Sequence, residues 1–155
     1  MTRGDHRDQE KQQTPTRQTD TVGRLDVDSV LLALLIGAMN ANDHVSPEEG
    51  ARAHRIIWSM RRFRRKSGET VDRGIDRMRQ LVERHGASPV ITAAAKAIPA
   101  RLRQSAYAVA TGLVLADGKM EPAERRFLDD LGTRLGLDRN TSRNIADVML
   151  IKNGA

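Results

Sequence analysis

The sequence contains no cysteine, few aromatic residues and no long apolar segment. The lack of cysteine excludes disulfides, thiolate metal ligands and cysteine nucleophiles, and it is compatible with a reducing cytosol. The longest apolar run, VLLALLIGAM at residues 30–39, is half as long as the roughly 20 residues that a membrane-spanning helix needs, so we expect a buried core helix. The first 20 residues also lack the apolar centre of a secretory signal peptide.

The short motifs that mark common enzymes are missing as well. The sequence contains no H-E-x-x-H, no G-x-S-x-G and no G-x-G-x-x-G. The segment from Gly112 to Lys119 fits a phosphate-binding loop poorly, because five residues separate its two glycines and Met120 occupies the Ser/Thr position. We therefore expect a binding protein rather than an enzyme.

The composition divides the chain into a tail and a domain. Residues 1–24 contain Met1 and Val22 as their two large apolar residues and are otherwise rich in polar side chains. Such a segment buries too little surface to offset its conformational entropy, so we predict a disordered tail over 1–24. Residues 25–155 are predicted to form one domain.

The apolar residues of this domain recur every three or four positions, which is typical of amphipathic helices. No long stretch alternates between apolar and polar residues, as a half-buried strand would. Ser88-Pro89 and Asp138 are predicted helix starts, and the last helix is predicted to turn Ile145, Val148 and Met149 inward. The pattern predicts an all-α fold of about seven helices.

One short segment occurs twice, at an offset of 75 residues. ANDHVSPEE at 41–49 aligns with ADGKMEPAE at 116–124, and each copy lies between two predicted helices. We predict two pseudo-repeated helix–acidic loop–helix units within one compact domain.

A purely structural interpretation of these loops is available. Ser46 followed by Pro47 and Glu49 is a capping box at the start of a helix, and Glu121 to Glu124 has the same frame with a poorer cap. Gly118 suits the positive φ that a tight turn often needs. A turn explains every residue except the acid before it.

The alternative interpretation is a metal site. Compared with an EF-hand loop, each segment has oxygen donors at some positions but lacks others, since Leu113 and Leu115 fall where ligands are required. Each loop is therefore half a site. If the repeats face each other, hard oxygen donors from both would suit Ca²⁺ or Mg²⁺. The candidate ligands are Asp43, Glu49, Asp117 and Glu124.

The doubled loop with its Pro-x-Glu ending, together with LGLDRNTSRNIADVML at 135–150, resembles the tellurite-resistance TerB family. The resemblance covers roughly residues 26–150, although Asn42 replaces an Asp and Asp43 stands where Gly is usual. It implies a small all-α fold with two acidic loops. It also implies a role in tellurite or other chemical stress, with metal binding and with protein partners in membrane-linked stress complexes.

A basic segment, RRFRRK at 61–66, offers a second kind of site. Residues 55–84 carry ten bases and four acids, a net charge of +6, whereas residues 25–54 carry one base and five acids. Phe63 falls on the inward stripe, so we expect it in the core. The bases form either a solvated helix end or a surface for an anionic membrane or nucleic acid. The five candidates are Arg61, Arg62, Arg64, Arg65 and Lys66.

The residues, together with what the resemblance to the TerB family implies, predict a non-enzymatic stress-response protein of the cytoplasm. Its acidic loops would bind a divalent cation or a basic partner. The alternative is an adaptor for an anionic membrane surface, peripheral at the inner membrane face, or for nucleic acid read without base specificity.

Overall fold

The computed structural model describes residues 22–42 and 46–154, and within these ranges the chain forms seven α-helices and no strand. The predicted all-α class is therefore confirmed. Short 3₁₀ helices lie at Asn40–Asn42, Ala100–Leu102 and Leu115–Asp117. The helices are α1 (Val27–Met39), α2 (Pro47–Ser59), α3 (Gly68–His85), α4 (Ala87–Ala97), α5 (Arg103–Val114), α6 (Pro122–Arg134) and α7 (Arg139–Asn153).

Several helices begin where a short polar side chain can bond to a backbone amide. The side chains of Asp26, Ser67 and Asp138 accept hydrogen bonds from the amide three residues later, at α1, α3 and α7. These bonds satisfy amides that have no partner within the helix. The start of α7 at Asp138 was predicted correctly.

Two of the described helices end at a glycine with a positive φ. Gly86 follows α3 with a φ of 85°, and Gly136 follows α6 with a φ of 67°. After α6, the amides of Gly136 and Leu137 donate to the carbonyls of Thr133 and Gly132, which is the pattern of a Schellman motif. The chain reverses direction there and enters α7.

Helix α1 is the centre of the domain. Every residue from Ser29 to Met39 is buried, and the helix packs against α2, α3, α4 and α5. This explains the run at 30–39, because a helix surrounded by neighbours has no solvent face and needs no polar stripe. The predicted core helix is confirmed.

Two details of the helix predictions are wrong. Helix α4 begins at Ala87 after an uncapped Gly86, so Ser88-Pro89 lies inside its first turn. Val148 on α7 is 62% exposed rather than inward, and Ile151 on the same helix is 76% exposed. Helix α7 packs chiefly against α5, at the edge of the domain, and has no fully buried residue.

The predicted tail lies mostly outside the described residues. Where the description begins, Val22 is half-buried against the core and Leu25 is buried. Val22, which was assigned to the predicted tail, thus packs against the domain. Among the helices of the described ranges, none is both long and apolar enough to cross a membrane.

Candidate functional site

The two segments that align in sequence are flanked by the same kinds of helix. In the first, α1 runs into the 3₁₀ helix Asn40–Asn42, and α2 begins with Pro47. In the second, α5 runs into the 3₁₀ helix Leu115–Asp117, and α6 begins with Pro122. We call the connections at 40–46 and 115–121 the first and second turn.

The second turn presents a carboxylate on a tight bend. Asp117 is exposed, and its Oδ1 accepts a hydrogen bond of 3.0 Å from the backbone amide of Lys119. Gly118 between them adopts the left-handed conformation with a φ of 75°, as the sequence predicted. Met120 packs against the core and fixes the far side of the bend.

The glutamate after each turn bonds to the backbone at the start of its helix. Glu49 Oε2 accepts from the amide of Ser46 at 2.7 Å, while the Ser46 hydroxyl accepts from the amide of Glu49 at 3.2 Å. Glu124 Oε2 accepts from the amide of Glu121 at 2.8 Å. The predicted capping box is therefore present after the first turn, and the matching glutamate bond is present after the second.

Three of the four predicted metal ligands lie within the described residues. Asp43 lies outside the described residues, and Glu49 and Glu124 each use one oxygen for helix capping. Within the ranges that the structure describes, no group of three or more His, Cys, Asp or Glu residues is arranged to hold a metal ion. The 3₁₀ helix that leads into the first turn packs against α6, the helix that follows the second turn.

The basic segment 61–66 forms the connection between α2 and α3 rather than a helix end. Phe63 is 1% exposed and belongs to the core, as predicted. Its burial anchors the middle of the connection and leaves Arg61, Arg62, Arg64 and Arg65 exposed around it. Lys66 is partly buried.

The five basic residues have different partners. Arg62 and Lys66 both form ion pairs with Asp28 in the first turn of α1. Arg64 donates to the carbonyl of Ser59 at 3.1 Å. Arg61 and Arg65 form no ion pair or side-chain hydrogen bond within the described part of the chain. The acidic Asp28 thus holds the connection in place and leaves two guanidinium groups for another partner.

Those two guanidinium groups border a groove of about 580 Å³ between the connection and the start of α5, which we call the arginine groove. Arg62 also lines it, and across the groove lie Arg101 and Ser105. The groove's remaining lining residues are apolar: Leu31, Met60, Leu102 and Val109. Arg101 and Ser105 were missed in the sequence because they lie 35 and 39 residues beyond the last residue of the basic segment, and no local spacing links them to it.

Comparison with known proteins gave one finding. The family described as "Tellurite resistance protein TerB" matches residues 28–147. Searches of curated proteins and of solved structures gave no match.

Proposed function

The chain belongs to the TerB family of tellurite-resistance proteins, and from this premise we propose that it is a non-enzymatic module of a tellurite, metal or other chemical stress response. Its two acidic turns would bind a divalent cation, with Ca²⁺ or Mg²⁺ as the best match, or a basic segment of a protein partner. Asp43, Glu49, Asp117 and Glu124 would supply the oxygen donors. Carboxylate oxygens are the ligands these two ions prefer.

The observation that carries this proposal is the exposed carboxylate of Asp117. A hydrogen bond from the Lys119 amide orients this carboxylate on a bend whose left-handed conformation Gly118 allows. An Asn side chain could accept the same hydrogen bond, so the turn does not require a negative charge at this position, whereas a cation or a basic side chain would use one. The first turn likewise begins with a 3₁₀ helix and ends before a proline that starts the next helix, and there the residue aligned with Asp117 is Asn42 and the next is Asp43.

Calorimetric titration of the metal-stripped protein tests the proposal. Ca²⁺, Mg²⁺, Mn²⁺ and Zn²⁺ are each added to the wild type and to the double variant Asp117→Asn/Glu124→Gln. The matched control is Asp72→Asn/Glu83→Gln, which removes the same two charges from exposed positions of α3. Thermal unfolding of each variant shows whether the fold is intact.

We expect saturable heat from Ca²⁺ or Mg²⁺ with the wild type and the control, and none with the turn variant. An equal loss of binding heat in the turn variant and in the control would mean that the ion responds to net charge alone. No heat at millimolar metal would exclude the cation. The acidic turns would then be tested for binding to a basic peptide, by fluorescence anisotropy with the same pair of variants.

A second candidate function uses the basic connection at 61–66. Arg61 and Arg65 are exposed and unpaired within the described residues, which favours an anionic partner such as a membrane surface or the phosphates of a nucleic acid. In a cytoplasmic protein this surface would give peripheral association at the inner membrane face. Such binding should weaken steeply with salt, because each contact releases counterions or is screened.

A further inference from the structure

We propose that the arginine groove binds the head group of an anionic phospholipid, with the phosphate between Arg61, Arg65 and Arg101 and the first methylene groups on the apolar floor. This inference rests on the second candidate function and makes it specific. It replaces a diffuse basic surface by one site, assembled from the α2–α3 connection and the beginning of α5.

The charge of the groove favours a phosphate. Four guanidinium groups line it, those of Arg61, Arg62, Arg65 and Arg101, and none of its described lining residues is acidic. Arg62 shares the carboxylate of Asp28 with Lys66, whereas Arg61, Arg65 and Arg101 have no acidic partner among the described residues. Guanidinium groups match the oxygens of a phosphate in a bidentate geometry, and the Ser105 hydroxyl adds a further donor.

The groove is also built before a ligand arrives. Phe63 is buried in the core, and Asp28 pairs with both Arg62 and Lys66, so the connection is fixed against α1 from two sides. Arg61 and Arg65 extend from this anchored segment. A fixed backbone lowers the entropy that binding must otherwise remove.

The floor of the groove distinguishes a lipid from a nucleic acid. Leu31, Met60, Leu102 and Val109 line the same groove as the four arginines and give it an apolar surface. No aromatic residue is among the described lining residues, so bases would have no ring on which to stack. The volume of about 580 Å³ lies within the range of small-molecule sites. Charge above an apolar surface matches a molecule that is anionic at one end and apolar at the other.

The test is co-sedimentation of the full chain with vesicles of phosphatidylglycerol and phosphatidylcholine. The variant Ser105→Glu places an acid inside the groove, whereas the control Gln104→Glu places the same acid on the adjacent exposed position, which does not line it. Both changes lie at exposed positions of the same helical turn, so their effects on folding should match. We expect Ser105→Glu to weaken binding at least tenfold and Gln104→Glu by less than about threefold.

A second pair of variants removes charge instead of adding it. Arg101→Ala should weaken binding about tenfold, although it lies outside the basic segment, because a charge-assisted hydrogen bond is lost. Arg64→Ala removes a charge from the segment without touching the groove and should cost at most about fivefold, as expected for one charge near an anionic surface.

The outcomes separate the groove from the second candidate function. Equal losses within each pair would overturn the groove while leaving a diffuse basic surface in place. No binding to phosphatidylglycerol vesicles at low salt would overturn the lipid assignment and the membrane arm of the candidate together. Tighter binding of a single-stranded oligonucleotide, with the same dependence on Arg101, would assign the groove to nucleic acid.

Discussion

At the scale of single residues, the turns follow from contacts within three or four positions. The bond between Ser46 and Glu49 and the positive φ of Gly118 were both predictable, because each depends on neighbours in the chain and on the steric freedom of glycine. The interaction partners of Arg62 were not predictable. Asp28 lies 34 residues away, and the sequence gives no reason to pair these two charges rather than others.

Gly118 provides a test of the bend itself. Replacing it by Ala should lower the free energy of unfolding by about 1 kcal/mol, because a φ of 75° is strained for any residue with a Cβ while no atom lies near enough to clash. Gly50→Ala within α2 should instead raise it by about 0.5 kcal/mol, since that site is helical and open. Urea unfolding measures both, and a loss at Gly50 equal to that at Gly118 would contradict the assigned bend.

Asp26 gives a pH-dependent prediction. Its pKa is lowered, chiefly because its carboxylate accepts a hydrogen bond from the amide of Ser29. Because the pKa is lower in the folded state, the ionised carboxylate stabilises the fold at pH values above its unfolded-state pKa of about 3.9. This contribution is lost as the pH falls through the lower folded-state pKa.

Asp26→Ala should therefore lower the free energy of unfolding by about 1 kcal/mol at neutral pH, as for other helix caps. The difference from the wild type should shrink as the solution is acidified below pH 4. Denaturant unfolding at a series of pH values measures it. A difference that stays constant to the acid limit would show that the carboxylate charge plays no part.

At the scale of helices, periodicity identified which segments are helical but not which face of each meets the core. The central α1 was recognised because it is apolar on all sides. Helix α7 was misassigned because its apolar residues fall on more than one side, and packing chiefly on α5 selects one of them. Val148 was left exposed as a result.

The first turns of α4, whose start was predicted wrongly, are held by contacts from another helix. Arg134 of α6 donates to the Ser88 carbonyl, the Ser88 hydroxyl and the Thr92 hydroxyl, and it pairs with Asp130 on its own helix. These bonds tie α6 to the first turns of α4, which has no side-chain cap of its own.

Arg134→Ala should lower the free energy of unfolding by about 1–2 kcal/mol, since the three hydrogen bonds between the helices are lost from a partly exposed side chain. Arg134→Lys should not retain the wild-type free energy of unfolding, because an ammonium group cannot span the same acceptors. The control is Arg126→Ala at an exposed position of α6, with an expected change within about 0.5 kcal/mol. Equal effects of Arg134→Ala and Arg126→Ala in denaturant unfolding would contradict the tie between α4 and α6.

At the scale of the whole molecule, the candidate sites combine residues that are far apart in the chain. The arginine groove unites Arg61, Arg62 and Arg65 with Arg101 and Ser105, and the proposed cation site would unite two turns that are 75 residues apart. The sequence indicated the residue types and the repeat. It could not indicate the groove, because long-range packing between α1, α5 and the α2–α3 connection creates it.

We propose that the two acidic turns act together as one binding site. The most direct measurement is the amide NMR spectrum of the isotope-labelled full chain during titration with Ca²⁺ and then Mg²⁺. If the turns act together, the amide signals of residues 41–49 and 116–124 should shift saturably with the same apparent Kd. Both sets of shifts should be lost in Asp117→Asn/Glu124→Gln. Shifts confined to one turn, or the absence of saturable shifts at either turn, would contradict the claim.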